Sequence, residues 1–242
     1  NNLIKKTIFK VENKTNNNFN ASNFNKYLIT CIVSLFIYLF YLLIPHLYDK
    51  TWIQTNIESK LLNEFKINLS TSANISYRIL PAPHFLVKDS KILVDVDKKL
   101  KSIAEIKNLR IFLNQKNFFD KEKVIFKKIV INDTNFSLNI SDFKVLNKNK
   151  NINFSNKKIH INNSNVFFKD NIGDVISIIK IKNGILFFDE KKLLNLFSLK
   201  GEVFNLPFTF DFKNYNNLIK DKEITLNFKS LKLNILNKST QK

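Results

Sequence analysis

Methionine is absent from the 242 residues, cysteine occurs once, glycine three times and proline four times. A lone cysteine, Cys31, excludes an intrachain disulfide, and so few glycines leave no glycine-rich phosphate loop. Arginine appears only at Arg78 and Arg110. Lysine therefore carries nearly all of the +19 net charge, and the sequence lacks the side chain that nucleic-acid readers use for bidentate contacts. Asn, Lys, Ile and Phe are over-used together, as AT-rich codons would produce, so the charge is read as a solvated surface and no nucleic-acid partner is expected. A methionine before Asn1 is not normally trimmed, so the chain is read as incomplete or processed at its N-terminus. Apolar residues make up 44% and aromatics 13%, enough to supply a core.

Tyr27 to Ile44 is an 18-residue run without a charged side chain, and Pro45 to Tyr48 extends it to 22. At ~1.5 Å per residue it reaches ~33 Å, against a hydrocarbon core of ~30 Å. Twelve of those 18 residues are Leu, Ile, Val or Phe, together favouring insertion by roughly 4–7 kcal/mol. Tyr27, Tyr48 and Trp52 stand where interfacial aromatics belong. A cleaved signal peptide would need a shorter apolar region and a small-x-small site, and a lipoprotein signal would place the run before Cys31. Lys5, Lys6, Lys10, Lys14 and Lys26 precede the span against Glu12 alone. The positive-inside bias therefore predicts a single-pass protein with a cytoplasmic tail over residues 1–26, a span over 27–48 and the remainder across the membrane.

Trp52, Ile53, Ile57, Leu61, Leu62 and Phe65 recur at helical spacing and predict a juxtamembrane helix over 49–66, packing on the sheet C-terminal to it. From residue 67 to 236 period two takes over, as in Leu109-x-Ile111-x-Leu113 and Phe208-x-Phe210-x-Phe212, before a polar tail over 237–242. Such alternation predicts a mainly β domain of about ten half-exposed antiparallel strands. Turns are predicted at Asn132-Asp133, Asn147 to Asn151, Asn162-Asn163, Asn183-Gly184 and Asn214 to Asn217, with Asn substituting for the scarce glycines. One short helical stretch, Glu190 to Phe197, is expected beyond residue 70. With so little to cover it, the apolar face must either close on itself as a sandwich or barrel, or stand open as a groove.

Chemistry is sparse. His46, His84 and His160 lie far apart with no paired-ligand spacing, and neither GxSxG nor CxxC occurs. Asp95 with Asp97, and Asp189 with Glu190, are close acidic pairs that a solvated edge explains. No catalytic residue, metal site or cofactor is assigned, and no enzymatic activity is expected.

The stretch Ile75-Ser-Tyr-Arg-Ile-Leu-Pro81-Ala-Pro83-His-Phe-Leu-Val-Lys-Asp89-Ser-Lys-Ile92 resembles the N-terminal signature of AsmA-like proteins: a span, a short helix, a strand, a Pro-x-Pro turn and an "l-x-v-x-D-x-x-I" strand. A second stretch, Ile159 to Phe168 with Leu186 to Asp189, Gly201 and Pro207-Phe208, is similar to later strands of the family. The resemblance covers residues 27–212 and its distinctive positions are Pro81, Pro83, Asp89, Gly201 and Pro207. It implies an inner-membrane protein with a periplasmic, twisted, taco-like antiparallel sheet whose apolar groove carries phospholipid toward the outer membrane and supports outer-membrane assembly. Family members are often much longer, so a fragment, a short paralogue or one segment of a longer bridge is expected.

On this basis Phe208, Phe210, Phe212, Ile224, Leu226 and Phe228 are the residues expected to touch lipid acyl chains. The inner membrane, phospholipid and outer-membrane or envelope assembly proteins are the expected partners. Two other readings stand beside it: a membrane-tethered periplasmic scaffold with a closed core, and a subunit of a lipopolysaccharide-export bridge.

Overall fold

The computed structural model describes residues 23–65, 67–72, 74–96, 99–139, 154–215 and 220–241. Most of the predicted cytoplasmic tail, the turn at Asn147 to Asn151, Asp97, and Asn216 and Asn217 lie outside the described residues. Those that are described form two units, one ending at Tyr41 and one running from Leu42.

The first unit holds most of helix α1 (Asn23–Leu43). From Asn25 to Phe40 its side chains are exposed all round, the pattern of a helix whose solvent is apolar. Asn25–Leu47, 23 residues, is long and apolar enough to cross a membrane. The α-helix stops at Leu43 and tightens into a 3-10 turn over Ile44–Leu47, because Pro45 has no N–H to continue the ladder.

The second unit opens with helix α2 (Lys50–Phe65). Asp49 starts it by accepting from the Trp52 N–H at 2.9 Å, a side-chain N-cap. The Ile67 N–H closes it by donating to the Leu61 carbonyl at 3.0 Å. Ile53, Ile57, Leu61 and Phe65, spaced by four, form its buried stripe. Leu62 stays outside that stripe and is exposed.

Eleven strands succeed it among the described residues: β1 (Asn68–Ser70), β2 (Ile75–Arg78), β3 (His84–Val96), β4 (Lys99–Leu113), β5 (Phe126–Asn139), β6 (Lys158–Lys169), β7 (Val175–Asp189), β8 (Leu194–Val203), β9 (Leu206–Tyr215), β10 (Lys220–Phe228) and β11 (Leu233–Gln241). They make one sheet in the order β1-β3-β4-β5-β6-β7-β8-β9-β10-β11, with β2 also on β3. The path never returns to its first strand, so the sheet is open. A closed sandwich or barrel is not what forms.

Besides the predicted polar tail, whose residues Asn237 to Gln241 belong to β11, and the predicted turn at Asn214, which lies in β9, three sequence expectations change. Glu190 to Leu193 is a turn and Leu194 onward is β8, so the predicted short helix is absent. Its residues pair with β7 and β9 on both sides, and that ladder outweighs local helical spacing. The pair β5–β6 is parallel, which makes the sheet mixed. A parallel neighbour needs a connection of about a dozen residues or more, and residues 140–157 supply that length. Thirdly, Asn132-Asp133, Asn162-Asn163 and Asn183-Gly184 are not turns but lie inside β5, β6 and β7.

Their reason is shared. The ladder passes over Asp89, Lys107, Asp133, Asn163 and Lys182, which stand opposite one another in β3 to β7. Asp89, Asp133 and Asn163 are left-handed there, at φ 54°, 54° and 45°, a geometry Asx residues tolerate. Each strand thereby places two residues in succession on one face and then resumes alternation: Val87 and Ser90 are buried, as are Leu109 and Ile106, and Ile131 and Thr134. At the β7–β8 pair the offset is absorbed by a bulge between Ile181 and Asn183.

Beside the β2–β3 turn, His84 is buried against Phe112, ring centroids 5.0 Å apart, and its Nδ1 donates to the Ala82 carbonyl at 2.8 Å. Burial pushes its pKa down, aided by Arg110 and Arg78 and opposed by Ala82. Burial also lowers His160, with Lys128 and Lys158 acting in the same sense. A folded-state pKa below the unfolded ~6.5 gives stability that is present above ~6.5 and lost as pH falls through the folded value. The urea midpoint of the full chain is therefore expected to fall between about pH 7.5 and about pH 5.5, and to fall less in the H84Q/H160Q variant. An unchanged slope in that variant would contradict the assignment.

Candidate functional site

Because the kinks are matched from strand to strand, every strand shows its apolar residues on the same face. One register row runs Val87, Leu109, Ile131, Ile161, Gly184 and Leu199, and continues through Phe210, Leu226 and Ile235. Its neighbour runs Phe85, Ile111, Ile129, Ile159, Leu186 and Phe197, then Phe212 and Ile224. No single strand has a complete binding surface; the face is a product of register.

Burial along these rows is uneven. Over β3, β4 and β5 the face is shut, with Val87, Leu109, Ile111 and Ile129 at 1% exposure or less. Helix α2 and the β4–β5 connection close it through Ile57, Leu61, Phe118 and Val124, all buried as deeply. Polar contacts tie α2 down on both flanks. Glu58 accepts from the Thr71 N–H at 2.9 Å, Lys60 donates to the Val124 carbonyl, and Glu64 pairs with Lys157. Lys157 immediately precedes β6, and no hydrogen bond or ion pair joins α2 to β7 or any later strand among the described residues.

Beyond that point the same face opens by degrees among the described residues: Ile159, Ile161 and Leu199 are still buried on β6 and β8, and exposure rises over β9 to β11. Phe197, Phe210, Phe212, Leu226 and Phe228 are only half-buried, while Ile224, Leu233 and Ile235 are 37%, 43% and 48% exposed. A contiguous apolar surface of this kind marks an interaction site in folded proteins. All six residues expected from sequence to meet acyl chains lie here, on β9 and β10. Ile224 stands opposite Phe212 and Leu226 opposite Phe210. The Phe208 and Phe228 rings are 5.9 Å apart, and Phe197 meets Phe210 edge-on at 5.8 Å. Phe208 is the deepest of the six, at 9% exposure. Gly201 makes room for it, since a Cβ there would come 3.1 Å from the Phe208 ring and 2.4 Å from the Lys180 carbonyl oxygen.

The other distinctive positions are spread widely. Pro81 and Pro83 form the β2–β3 turn, where the Pro83 carbonyl accepts from the Leu113 N–H at 2.9 Å. Asp89 is the first left-handed kink, and Pro207 is the second residue of β9, opposite Glu202. The structure does not gather these five residues into one site.

The opposite face is polar. Cross-strand ion pairs decorate it, such as Lys91–Glu105 at 3.6 Å and Lys180–Glu202 at 3.7 Å. Between the parallel strands, Asn162 donates to Asn132 at 3.1 Å and Asn165 to Asn135 at 3.2 Å. Asn163 and Asn108 both donate to Asp133 and hold its carboxyl below the ordinary range. This side-chain ladder and the row of kinks escaped the sequence reading. Their signal is an apolar-x-apolar-x-Asx-Ser/Thr pattern that recurs at Asp89-Ser90, Asp133-Thr134 and Asn163-Ser164.

Acid–base and metal chemistry find little footing. Asp189 accepts from the Lys191 and Lys192 N–H groups and so closes the β7–β8 turn, and Glu190 accepts from Asn156. Among the described residues no group of three or more His, Cys, Asp and Glu side chains could hold a metal ion. What the arrangement can do is bind apolar matter by area. At ~25 cal/mol per Å², covering ~300 Å² of such a face is worth ~8 kcal/mol. The fold and site thus define a class: an open mixed sheet with one uncovered apolar face, carried behind a helix able to span a membrane. No protein-family model and no curated protein matches the chain.

The two halves of the face differ in what their residues do for stability. Ile224→Ser and Ile235→Ser are expected to cost about 1 kcal/mol or less, whereas Ile131→Ala and Leu61→Ala should each cost ~2–5 kcal/mol. Urea unfolding followed through Trp52, whose Nε1 donates to Glu122 at 3.1 Å, measures both. Equal costs at the four positions would mean that β9 to β11 are covered in solution.

Proposed function

We propose that the protein is an AsmA-like envelope protein: a single-pass inner-membrane protein, its N-terminus cytoplasmic and its sheet periplasmic. There it binds phospholipid acyl chains on the uncovered face and passes them toward the outer membrane, so supporting outer-membrane assembly. No bond is made or broken; the acyl chains are held by buried apolar area. One observation carries this assignment, namely that the apolar face continues without interruption from the strands covered by α2 onto β9 to β11, where its side chains are mostly half-buried or exposed among the described residues. The membrane-competent helix on the same chain supports it by keeping the sheet close to a lipid source. The N-terminal lysines and the resemblance at Pro81, Pro83 and Asp89 support the orientation and the compartment.

The test is a position scan in membranes. A photoreactive benzophenone side chain is placed singly at Phe210, Leu226, Thr209 or Thr225 in the full chain. Phe210 and Leu226 face the apolar side, and Thr209 and Thr225 the polar side. Lipid adducts are expected at 210 and 226, several-fold above 209 and 225, and should be lost from position 226 when Phe210 and Phe212 become Asp. Equal labelling on both faces would sink the assignment. Protein adducts at 210 and 226 in place of lipid would favour the scaffold reading.

A further inference from the structure

The apolar face changes character at one end. One register step beyond Phe197, Phe212 and Ile224, the row reads Asn195, Asn214, Lys222 and Ser239 across β8, β9, β10 and β11. Four polar side chains in succession replace four that were mostly apolar, all on the same face. None is acidic.

Lys222 stands out within the row. Its strand neighbours Asp221 and Glu223 alternate to the opposite face, where Glu223 is engaged by Lys213 at 3.4 Å and Lys238 at 3.8 Å. No carboxylate pairs with Lys222 among the described residues. Alternation places Lys222 on the apolar face of β10, with Ile224, Leu226 and Phe228. A half-buried cation without a counter-ion, beside an apolar surface, calls for an anion from outside.

Asn195 adds a second donor. It is 1% exposed, its carboxamide oxygen accepts from the Phe154 N–H at 2.8 Å, and its Nδ2 has no partner among the described residues. A buried donor without an acceptor is costly and rare. With Asn214 and Ser239 the row offers hydrogen-bond donors over three strand spacings of ~4.8 Å, about 14 Å in all. From Lys222 to Phe228 the apolar face of β10 then continues for ~20 Å. That exceeds the ~15 Å occupied by the acyl chains of one leaflet, half of a ~30 Å hydrocarbon core.

We infer that the row Asn195–Asn214–Lys222–Ser239 is a headgroup site for the phosphate of an anionic diacyl lipid, its chains lying along Phe212, Leu226 and Phe228. Resting on the lipid-groove reading, this adds a ligand class, anionic phospholipid over uncharged diacyl lipid, and a direction in which the lipid lies. Lys222 supplies the charge, and the Asn and Ser side chains donate to the remaining phosphate oxygens.

The full chain, carrying the benzophenone at Leu226, is purified in dodecyl maltoside micelles, which contain no phosphate. The micelles are doped with limiting radiolabelled phosphatidic acid or with diacylglycerol of the same chains. Phosphatidic acid is expected to label about ten-fold more strongly, the scale of one charge-assisted hydrogen bond. Lys222→Gln should bring the two lipids level without lowering diacylglycerol labelling, and Lys222→Arg should keep the preference. Equal labelling of both lipids in the unmodified chain, or a preference that survives Lys222→Gln, overturns the headgroup site and leaves the groove standing. Labelling by neither lipid overturns both. Loss of the preference on adding millimolar inorganic phosphate would mean that the row takes a free anion as readily as a lipid, and would overturn it as well.

Discussion

Phase is the constraint on which the structure depends. Side chains alternate along a strand with a period of two, so a slip of one residue in one strand would turn its apolar set to the wrong face. Here β3 to β7 each carry one additional residue at the same height, and the bulge at Ile181/Asn183 ends the series before β8. The additions are harmless because they are aligned. The left-handed Asp89, Asp133 and Asn163 absorb three of them, and the Asn108, Asp133 and Asn163 side chains bond to one another across the kinks. With phase preserved, Val87 at one side of the sheet and Ile235 at the other belong to one surface.

The second constraint is an imbalance between that surface and its cover. An amphipathic helix of 16 residues closes the face over the first strands, anchored by Glu58, Lys60 and Glu64. Its reach ends at Lys157. Six further strands extend the same apolar pattern, and burial falls along each register row as a result. A sandwich would have solved this with a second layer. An open sheet leaves the apolar surface of its last strands exposed among the described residues.

Much of this is legible in the sequence. The alternation of apolar residues marks the strands and their inward face, the spacing of Ile53, Ile57, Leu61 and Phe65 marks α2, and the uncharged run marks α1. The six residues from Phe208 to Phe228 can be assembled because two neighbouring strands with simple alternation pair face to face. The kinks read as turns, since an Asx residue in left-handed geometry serves a turn and an in-strand bulge equally well. Only the partner strands decide between them. The parallel β5–β6 pair is invisible for a similar reason, because direction is set by the connection and not by the strands. Glu190 to Phe197 looks helical locally, but ladder bonds on both sides of β8 outweigh that preference. The polar row ending at Lys222 needs the register of four strands before its members can be seen together.

The central claim is that the apolar face of β9 to β11 is occupied by lipid and not by protein. Its most direct measurement is native mass spectrometry with lipid extraction on the full chain, released gently from membranes. Phospholipid should remain bound after detergent exchange at about one or more molecules per chain, and should be lost in a folded variant bearing Asp at Phe210 and Leu226. A chain that is stably folded, monodisperse and free of lipid would contradict it.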